Sequence, residues 1–410
     1  MIPSIMTSQS VDRCMITGEP VAKILDFGQH AYADTFISQD QLNLSEPVFP
    51  LQVRMNPESG SIQLGYVSHA EDRYSLYSYS YTSSNSATAR AHWNEYATTL
   101  KSRRPSIKFA VEIGSNDGYL INQFRSEGVR TIGIDPSKDM CHIAKERGVE
   151  VMPALFNDVV AHDLATGVGR ATVIMANNVF NHANDPVSFA KAVAALLADD
   201  GIFVFEVPYW LSMIESGRFT DMVYHEHPTY FTIKMVWNVL KAAGLEITDF
   251  DVVDYHGGSL RVFARRDTGG AVPVQVEDAI ARETQIGLFD PRFYQVLQRR
   301  FEQQRDQWLH EFYKLRLAEP DAVFIGVGAA AKANTWLNWH GLNKTHLKCV
   351  TDASAFKQGK YTPLSRIPIA NDAVFAEYER PYALILSWNI GPGLRQAILN
   401  INPNTRFLQQ

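Results

Sequence analysis

The sequence predicts an α/β protein in three parts: a small β-rich N-terminal part followed by two wound β-α parts. Three observations predict it. First, an apolar run, Phe109–Ile113, leads into the tight turn Gly114-Ser-Asn-Asp-Gly118 and an amphipathic helix starting near Tyr119. Second, the same order of strand, glycine turn and helix start recurs at Val323-Phe-Ile-Gly326-Val-Gly328-Ala-Ala-Ala-Lys332. Third, residues 11–70 are short apolar segments broken by Gly18, Pro20, Gly28, Pro47, Pro50, Pro57 and Gly60, the pattern of a small β-rich unit. A chain of 410 residues is also too long for one ordinary core. The expected division is 1–72 (small N-terminal unit), 73–268 (central Rossmann-like unit), 269–318 (helical connector) and 319–410 (C-terminal Rossmann-like unit).

Composition narrows the function. Charged residues make up 20% and apolar ones 46%, which is ordinary for a globular enzyme. A net charge of −6 gives no basic footprint, so nucleic acid is not an expected partner. There is no apolar run of about eighteen residues, so no membrane span is expected. The N-terminus has no charged-then-apolar leader pattern, and a cytoplasmic enzyme is the default. Cys14, Cys141 and Cys349 are far apart and form no CxxC, which argues against a disulfide scaffold and a four-thiolate metal site.

Taken in order, Val21–Phe27 and Ser61–Val67 read as strands. A tyrosine run follows, Tyr74, Tyr77, Tyr79 and Tyr81, continuing into Thr82-Ser83-Ser84. Alternation puts Tyr77, Tyr79 and Tyr81 on one face of an extended segment. They pack between units or line a polar pocket, with Tyr81 and Ser84 as candidate substrate contacts. Ala87–Ser102 reads as a helix.

The central turn carries the donor reading. Glu112 interrupts the apolar run, and the second strand, Arg130–Ile134, ends in Asp135-Pro136, where a ribose hydroxyl pair is usually held. A phosphate loop needs glycines for backbone approach. Here the spacing is Gly-x-x-x-Gly and the turn carries an acid, Asp117. That suits S-adenosylmethionine, with its sulfonium and ammonium, better than a diphosphate. A NAD-type turn and a purely structural turn remain the alternatives. Candidate cofactor contacts are Glu112, Gly114, Asn116, Gly118, Asp135, Pro136, Phe156, Asn157 and Asn177. Phe156 and Asn157 sit in the turn expected to face the adenine. Asn177 ends the strand Ala171–Ala176, where open α/β sheets bind ligands.

After the strand Gly201–Glu206 comes Tyr224-His225-Glu226-His227-Pro-Thr-Tyr230. A metal pair, His225 with His227, is disfavoured, because the spacing is not His-Glu-x-x-His. A structural hydrogen-bond cluster is a second reading. An acid/base cluster is preferred, because imidazole titrates near neutrality and a carboxylate can orient it. Glu246–Tyr255, His256-Gly-Gly-Ser259 and Leu260–Arg265 read as an edge hairpin. Ala279–Leu317 reads as a long helical region. Lys332, Lys357 and Lys360 are candidate contacts for an anionic substrate.

Together, Glu112–Gly118, Asn178-Val-Phe-Asn-His182, Tyr224–His227, His256–Ser259, Gly328–Lys332 and Ser387-Trp-Asn389 resemble the nucleotide-sugar C-3-methyltransferases, the tetronitrose-pathway type among them. The likeness runs in order along nearly the whole chain. It implies a small zinc-binding domain, a central S-adenosylmethionine domain and a C-terminal α/β domain that helps hold a nucleotide-linked 4-keto-deoxysugar. It implies catalytic roles for Tyr224, Glu226, His227, His182 and Tyr79. An enzyme of this type is expected to act on a small molecule, as a monomer or homodimer. One departure is clear. The implied zinc site needs two cysteine pairs, but Thr17, Asn56 and Ser59 stand beside Cys14 in the other three positions. Zinc is therefore not expected. The expected chemistry is removal of a proton beside a ketone by His227, oriented by Glu226, with Tyr224 or His182 donating to the enolate oxygen. The rivals are a non-catalytic nucleotide-binding relative and an oxidoreductase built on Gly326-Val-Gly328.

Overall fold

The computed structural model describes residues 8–68, 82–84, 86–217 and 222–409. Five strands open the chain: β1 (Ser8–Ser10), β2 (Ala22–His30), β3 (Phe49–Asn56), β4 (Ser61–Leu64) and β5 (Tyr66–Ser68). The central part supplies β6 (Phe109–Ile113), β7 (Arg130–Ile134), β8 (Val151–Met152), β9 (Ala171–Asn177), β10 (Leu197–Pro208), β11 (Thr229–Tyr230), β12 (Leu245–Val253) and β13 (Ser259–Arg266). The last are β14 (Phe324–Val327), β15 (Cys349–Thr351), β16 (Ile369–Ala370), β17 (Tyr382–Ile385) and β18 (Arg406–Phe407).

The central sheet has seven strands in the order β12-β13-β10-β9-β6-β7-β8. β6 to β10 run parallel, and β12 and β13 close the edge as an antiparallel hairpin. All five residues of β6 are buried, as a strand covered on both faces requires. The C-terminal sheet, β16-β15-β14-β17-β18, is parallel throughout. Both α/β expectations hold.

The connecting helix differs in detail. It breaks into Val274–Ile286 and Pro291–Ala318, because Gly287 takes a left-handed conformation (φ 96°) and Asp290 caps the second helix at Pro291. The N-terminal sheet holds the main surprise. Its order is β11-β4-β3-β2, so its fourth strand comes from the histidine-rich stretch of the central part. Thr229 pairs with Gln63 and Tyr230 with Ile62, and the Leu64 N–H donates to the Pro228 carbonyl at 2.9 Å. A two-residue strand carries almost no sequence signal of its own.

The four positions of the implied zinc tetrad do come together. Ser59 Oγ lies 3.1 Å from Cys14 Sγ, the Ser59 N–H donates to Asn56 Oδ1 at 2.9 Å, and Asn56 Nδ2 donates to the Pro20 carbonyl at 3.1 Å. Burial pushes the Cys14 thiol pKa up, but hydrogen bonds from Ser59, Thr17 and Ile16 outweigh it and the net shift is downward. One thiolate among hydroxyl and amide groups already bonded to each other does not fit a closed tetrahedral zinc site. Among the described residues no three His, Cys, Asp or Glu side chains are grouped to hold a metal. No described helix is long and apolar enough to cross a membrane.

Candidate active site

A single cavity of about 720 Å³ runs from the β6 turn to the C-terminal unit. At one end, Gly114, Asn116, Asp135, Pro136, Phe156, Asn157 and Asn177 line it, all sequence-predicted cofactor positions. The turn needs its special residues. Gly114 (φ 68°) and Asn116 (φ 49°) are left-handed, and a Cβ on Gly114 would meet Val179 Cγ2 at 2.2 Å. Asp135 is held with each oxygen accepting one backbone N–H, from Asn116 at 2.8 Å and Ser137 at 2.9 Å. A carboxylate has further lone pairs for ribose hydroxyls. Burial raises its pKa, and the two N–H donors pull the other way. Asn177 Oδ1 takes the Glu206 N–H at 3.0 Å.

Glu112 and Gly118 stand behind this wall rather than in it. Glu112 Oε2 accepts the Ile121 N–H at 2.9 Å and so serves the start of the helix Tyr119–Arg125, whose own N-cap is the side-chain-less Gly118. A Cβ on Gly118 would meet Ala144 Cβ at 2.9 Å, so close packing sets that glycine. Asp117, read as the acid that suits a cation, is fully buried and committed elsewhere. It accepts from Ser83 Oγ at 2.8 Å and Ser84 Oγ at 2.5 Å, and pairs with Arg147 at 3.3 Å. Ser84 is thereby a tether for the loop before the helix Ala87–Arg103, not a cavity residue.

The middle of the cavity is lined by His182, Tyr224, Glu226, His227 and His256. Tyr224 Oη and His227 Nε2 are 2.8 Å apart. His227 also bonds the Met222 backbone, which leaves its Nδ1 as the donor to that carbonyl and Nε2 as the acceptor of the Tyr224 hydroxyl. Burial holds its pKa well below 6.5, helped by His182, so the ring is neutral near neutrality. His182 Nδ1 lies 2.6 Å from the Glu226 carbonyl, and since a carbonyl only accepts, Nδ1 carries the proton. Glu226 does not orient His227 as expected. Its Oε1 accepts the Asp34 N–H at 3.2 Å instead. His225 points away from the cluster, because the stretch bends in a turn in which the His227 N–H donates to the Tyr224 carbonyl at 2.9 Å. It is buried between Tyr32 and Phe49, with Nε2 3.3 Å from the Pro50 carbonyl, and is structural.

At the far end stand Lys332 and Lys357. Lys332 Nζ donates to Asn389 Oδ1 at 3.1 Å, and Lys357 Nζ to the Ala329 carbonyl at 2.8 Å. Lys360 does not line the cavity. Its backbone pairs with Ile369 and Lys357 in the following turn. Tyr79 and Tyr81 lie outside the described residues. Sequence reasoning missed Tyr32, Asp34, Trp93 and Met222, which also line the cavity. Their sequence neighbourhoods carry no motif, and only tertiary contact brings them here.

Residues 92–249 match the family model "Methyltransferase domain", and residues 254–405 match "C-methyltransferase C-terminal domain". C-methyltransferase NovU of Streptomyces niveus is 30% identical over 386 residues, covering 93% of this chain and 91% of that relative. This chain belongs to the C-methyltransferase family. The enzyme is thus an S-adenosylmethionine-dependent C-methyltransferase, and its lining at the Gly114 turn fits that donor. Solved structures to which part of this chain is similar include magnesium protoporphyrin IX methyltransferase from Synechocystis PCC 6803 with bound SAH, at 14% identity over 43% of this chain and 83% of that one, TM-score 0.35. Another is the CcbJ methyltransferase of Streptomyces caelestis, at 15% identity over 43% of this chain and 90% of that one, TM-score 0.34.

Proposed function

We propose that this C-methyltransferase methylates the carbon beside a ketone, namely C-3 of a nucleotide-linked 4-keto-deoxysugar. The observation that carries the reading is the single cavity joining the donor turn, the Tyr224–His227 pair and two lysines suited to an anionic nucleotide. S-adenosylmethionine supplies an electrophilic methyl group on a sulfonium. The protein supplies the carbon nucleophile. The acceptor's C–H proton passes to the Tyr224–His227 pair and comes to rest on His227 Nε2. His182, anchored through Nδ1, donates from Nε2 to the developing enolate oxygen when charged. The enolate carbon takes the methyl group, the carbon–sulfur bond breaking as the new C–C bond forms and the neutral thioether leaving, and the proton later passes to solvent. Holding both reactants in one cavity contributes much of the acceleration, of order 7–11 kcal/mol for well-oriented pairs.

The test is incubation of the purified chain with methyl-labelled donor and a panel of keto-sugar nucleotides. Label should appear on carbon in at least one sugar. Labelling of no keto-sugar in the panel refutes the substrate class while leaving the family intact.

A further inference from the structure

The loop after β2 carries a residue that no motif marks. Tyr32 packs its ring against His225 (centroids 5.4 Å apart), the Ala33 carbonyl accepts from buried Asn334 Nδ2 at 2.6 Å, and the Asp34 N–H holds Glu226 Oε1. Two residues on, the Phe36 ring sits under Lys357 Nζ at 5.0 Å, and Ile37 pairs with Tyr361. The N-terminal unit is thus pinned on one side to the catalytic stretch and on the other to the helix Ala331–Trp339. Between those pins Asp34 lines the cavity.

Among the described residues no group donates a hydrogen bond to that carboxylate. Lys357 is committed to the Ala329 carbonyl, with Asp352 3.5 Å away, and the hydrogen bond recorded for Asp34 is made by its backbone. Asp34 is an exposed residue on the cavity wall, so a ligand in the cavity can reach it. Its crowded surroundings raise the Asp34 pKa, Lys357 offsets that in part, and Asp352 adds to it. A hydroxyl or amine supplied from the cavity would find an acceptor there. A phosphate or carboxylate placed there would be repelled.

We propose that Asp34 is a specificity-determining contact for the acceptor, its carboxylate accepting a hydrogen bond from an acceptor hydroxyl while its backbone N–H positions Glu226. The N-terminal unit then builds part of the substrate site as well as supporting it. The identity of the donor group as a sugar hydroxyl rests on the keto-sugar reading above.

The experiment compares wild type, Asp34→Asn and Asp34→Ala in methyl transfer to matched keto-sugar nucleotides with and without a given hydroxyl, alongside calorimetry with the donor. Asp34→Ala should raise the acceptor KM roughly 10- to 100-fold, the worth of a hydrogen bond to a charged group. The preference for the hydroxylated acceptor should collapse towards one. Asp34→Asn, which keeps shape and backbone, should show a smaller loss in the same direction. Donor affinity and Tm should stay near wild type in both. If wild type methylates the sugars and both variants keep its acceptor KM and preference, the Asp34 assignment is overturned alone. If wild type methylates no keto-sugar, the substrate reading falls and takes the hydroxyl assignment with it.

Discussion

If Tyr224 and His227 act as one proton-handling unit, removing both should cost little more than removing either. The reason is the 2.8 Å contact between Tyr224 Oη and His227 Nε2. Tyr224→Phe keeps the ring, whose centroid is 4.0 Å from that of His227, and removes only the hydroxyl. His227→Asn keeps polarity but cannot take the proton at Nε2. A positioned acid/base group is worth about 10²–10⁴ in rate, or roughly 3–5 kcal/mol. Each single change should therefore lower kcat by ~10²–10⁴-fold. Independent groups would multiply to ~10⁴–10⁸-fold, whereas a unit should leave the double variant within about tenfold of the weaker single one. The assay is single-turnover methyl transfer from labelled donor. A parallel readout is exchange of the acceptor's α-hydrogen with solvent deuterium when S-adenosylhomocysteine is bound. Donor affinity should hardly change, because neither residue lies in the Gly114 turn. A multiplicative double variant, or a His227→Asn protein that exchanges deuterium at the wild-type rate, would refute the pairing.

Other outcomes follow from the same structure. Asp135→Ala removes the acceptor of the Asn116 and Ser137 N–H groups as well as the ribose contact proposed for it, so donor affinity by calorimetry should fall at least tenfold in a folded protein; unchanged affinity would dismiss the assignment. Protein purified without added metal should contain well under one zinc per chain, and a stoichiometric zinc resistant to mild chelation would contradict the hydrogen-bonded account of Cys14 and Ser59. Burial lowers the pKa of His225 to about 3 and of His30 to about 4, from an ordinary 6.5. Above 6.5 neither state is protonated and stability is full. As pH falls from 6.5 towards 4 the unfolded chain takes up protons first, so stability should drop by about 1.4 kcal/mol per pH unit per histidine. His225→Leu should flatten the dependence of Tm on pH in that window; an unaltered slope would place the titration elsewhere.

The cavity end at the Gly114 turn was legible because its residues sit in two short stretches whose spacing is imposed by one strand, one turn and the next strand. Gly114, Asn116 and Asp135 could be placed from that alone. The orientation of His225 was not readable, since residues two apart share a face of an extended segment, and it is a turn, closed by the His227 N–H on the Tyr224 carbonyl, that separates it from His227. Asp117 was misjudged for a physical reason. An acid in a glycine turn looks like a ligand group, but Ser83, Ser84 and Arg147 reach it from elsewhere and consume it. Glu226 was misjudged likewise: its sequence neighbour is His227, while its partner in space is Asp34, 192 residues away. Lys360 shows the limit of reading charge runs. It is three residues from Lys357, yet the turn between them leaves only Lys357 on the cavity.

The borrowed strand β11 has a consequence for how the chain is made. Residues 22–64 leave the ribosome with β4 as an open edge, and its partner, Thr229–Tyr230, follows about 165 residues later. At ordinary synthesis rates of about 5–20 residues per second, that edge waits roughly ten to thirty seconds. An unpaired edge is a template for pairing with another chain. The nascent protein therefore passes through an interval of exposure that ends only when the catalytic stretch itself arrives. Substitutions that weaken the seam between β4 and β11 should show first as lost yield of assembled protein during synthesis, before any loss of turnover in the molecules that complete it.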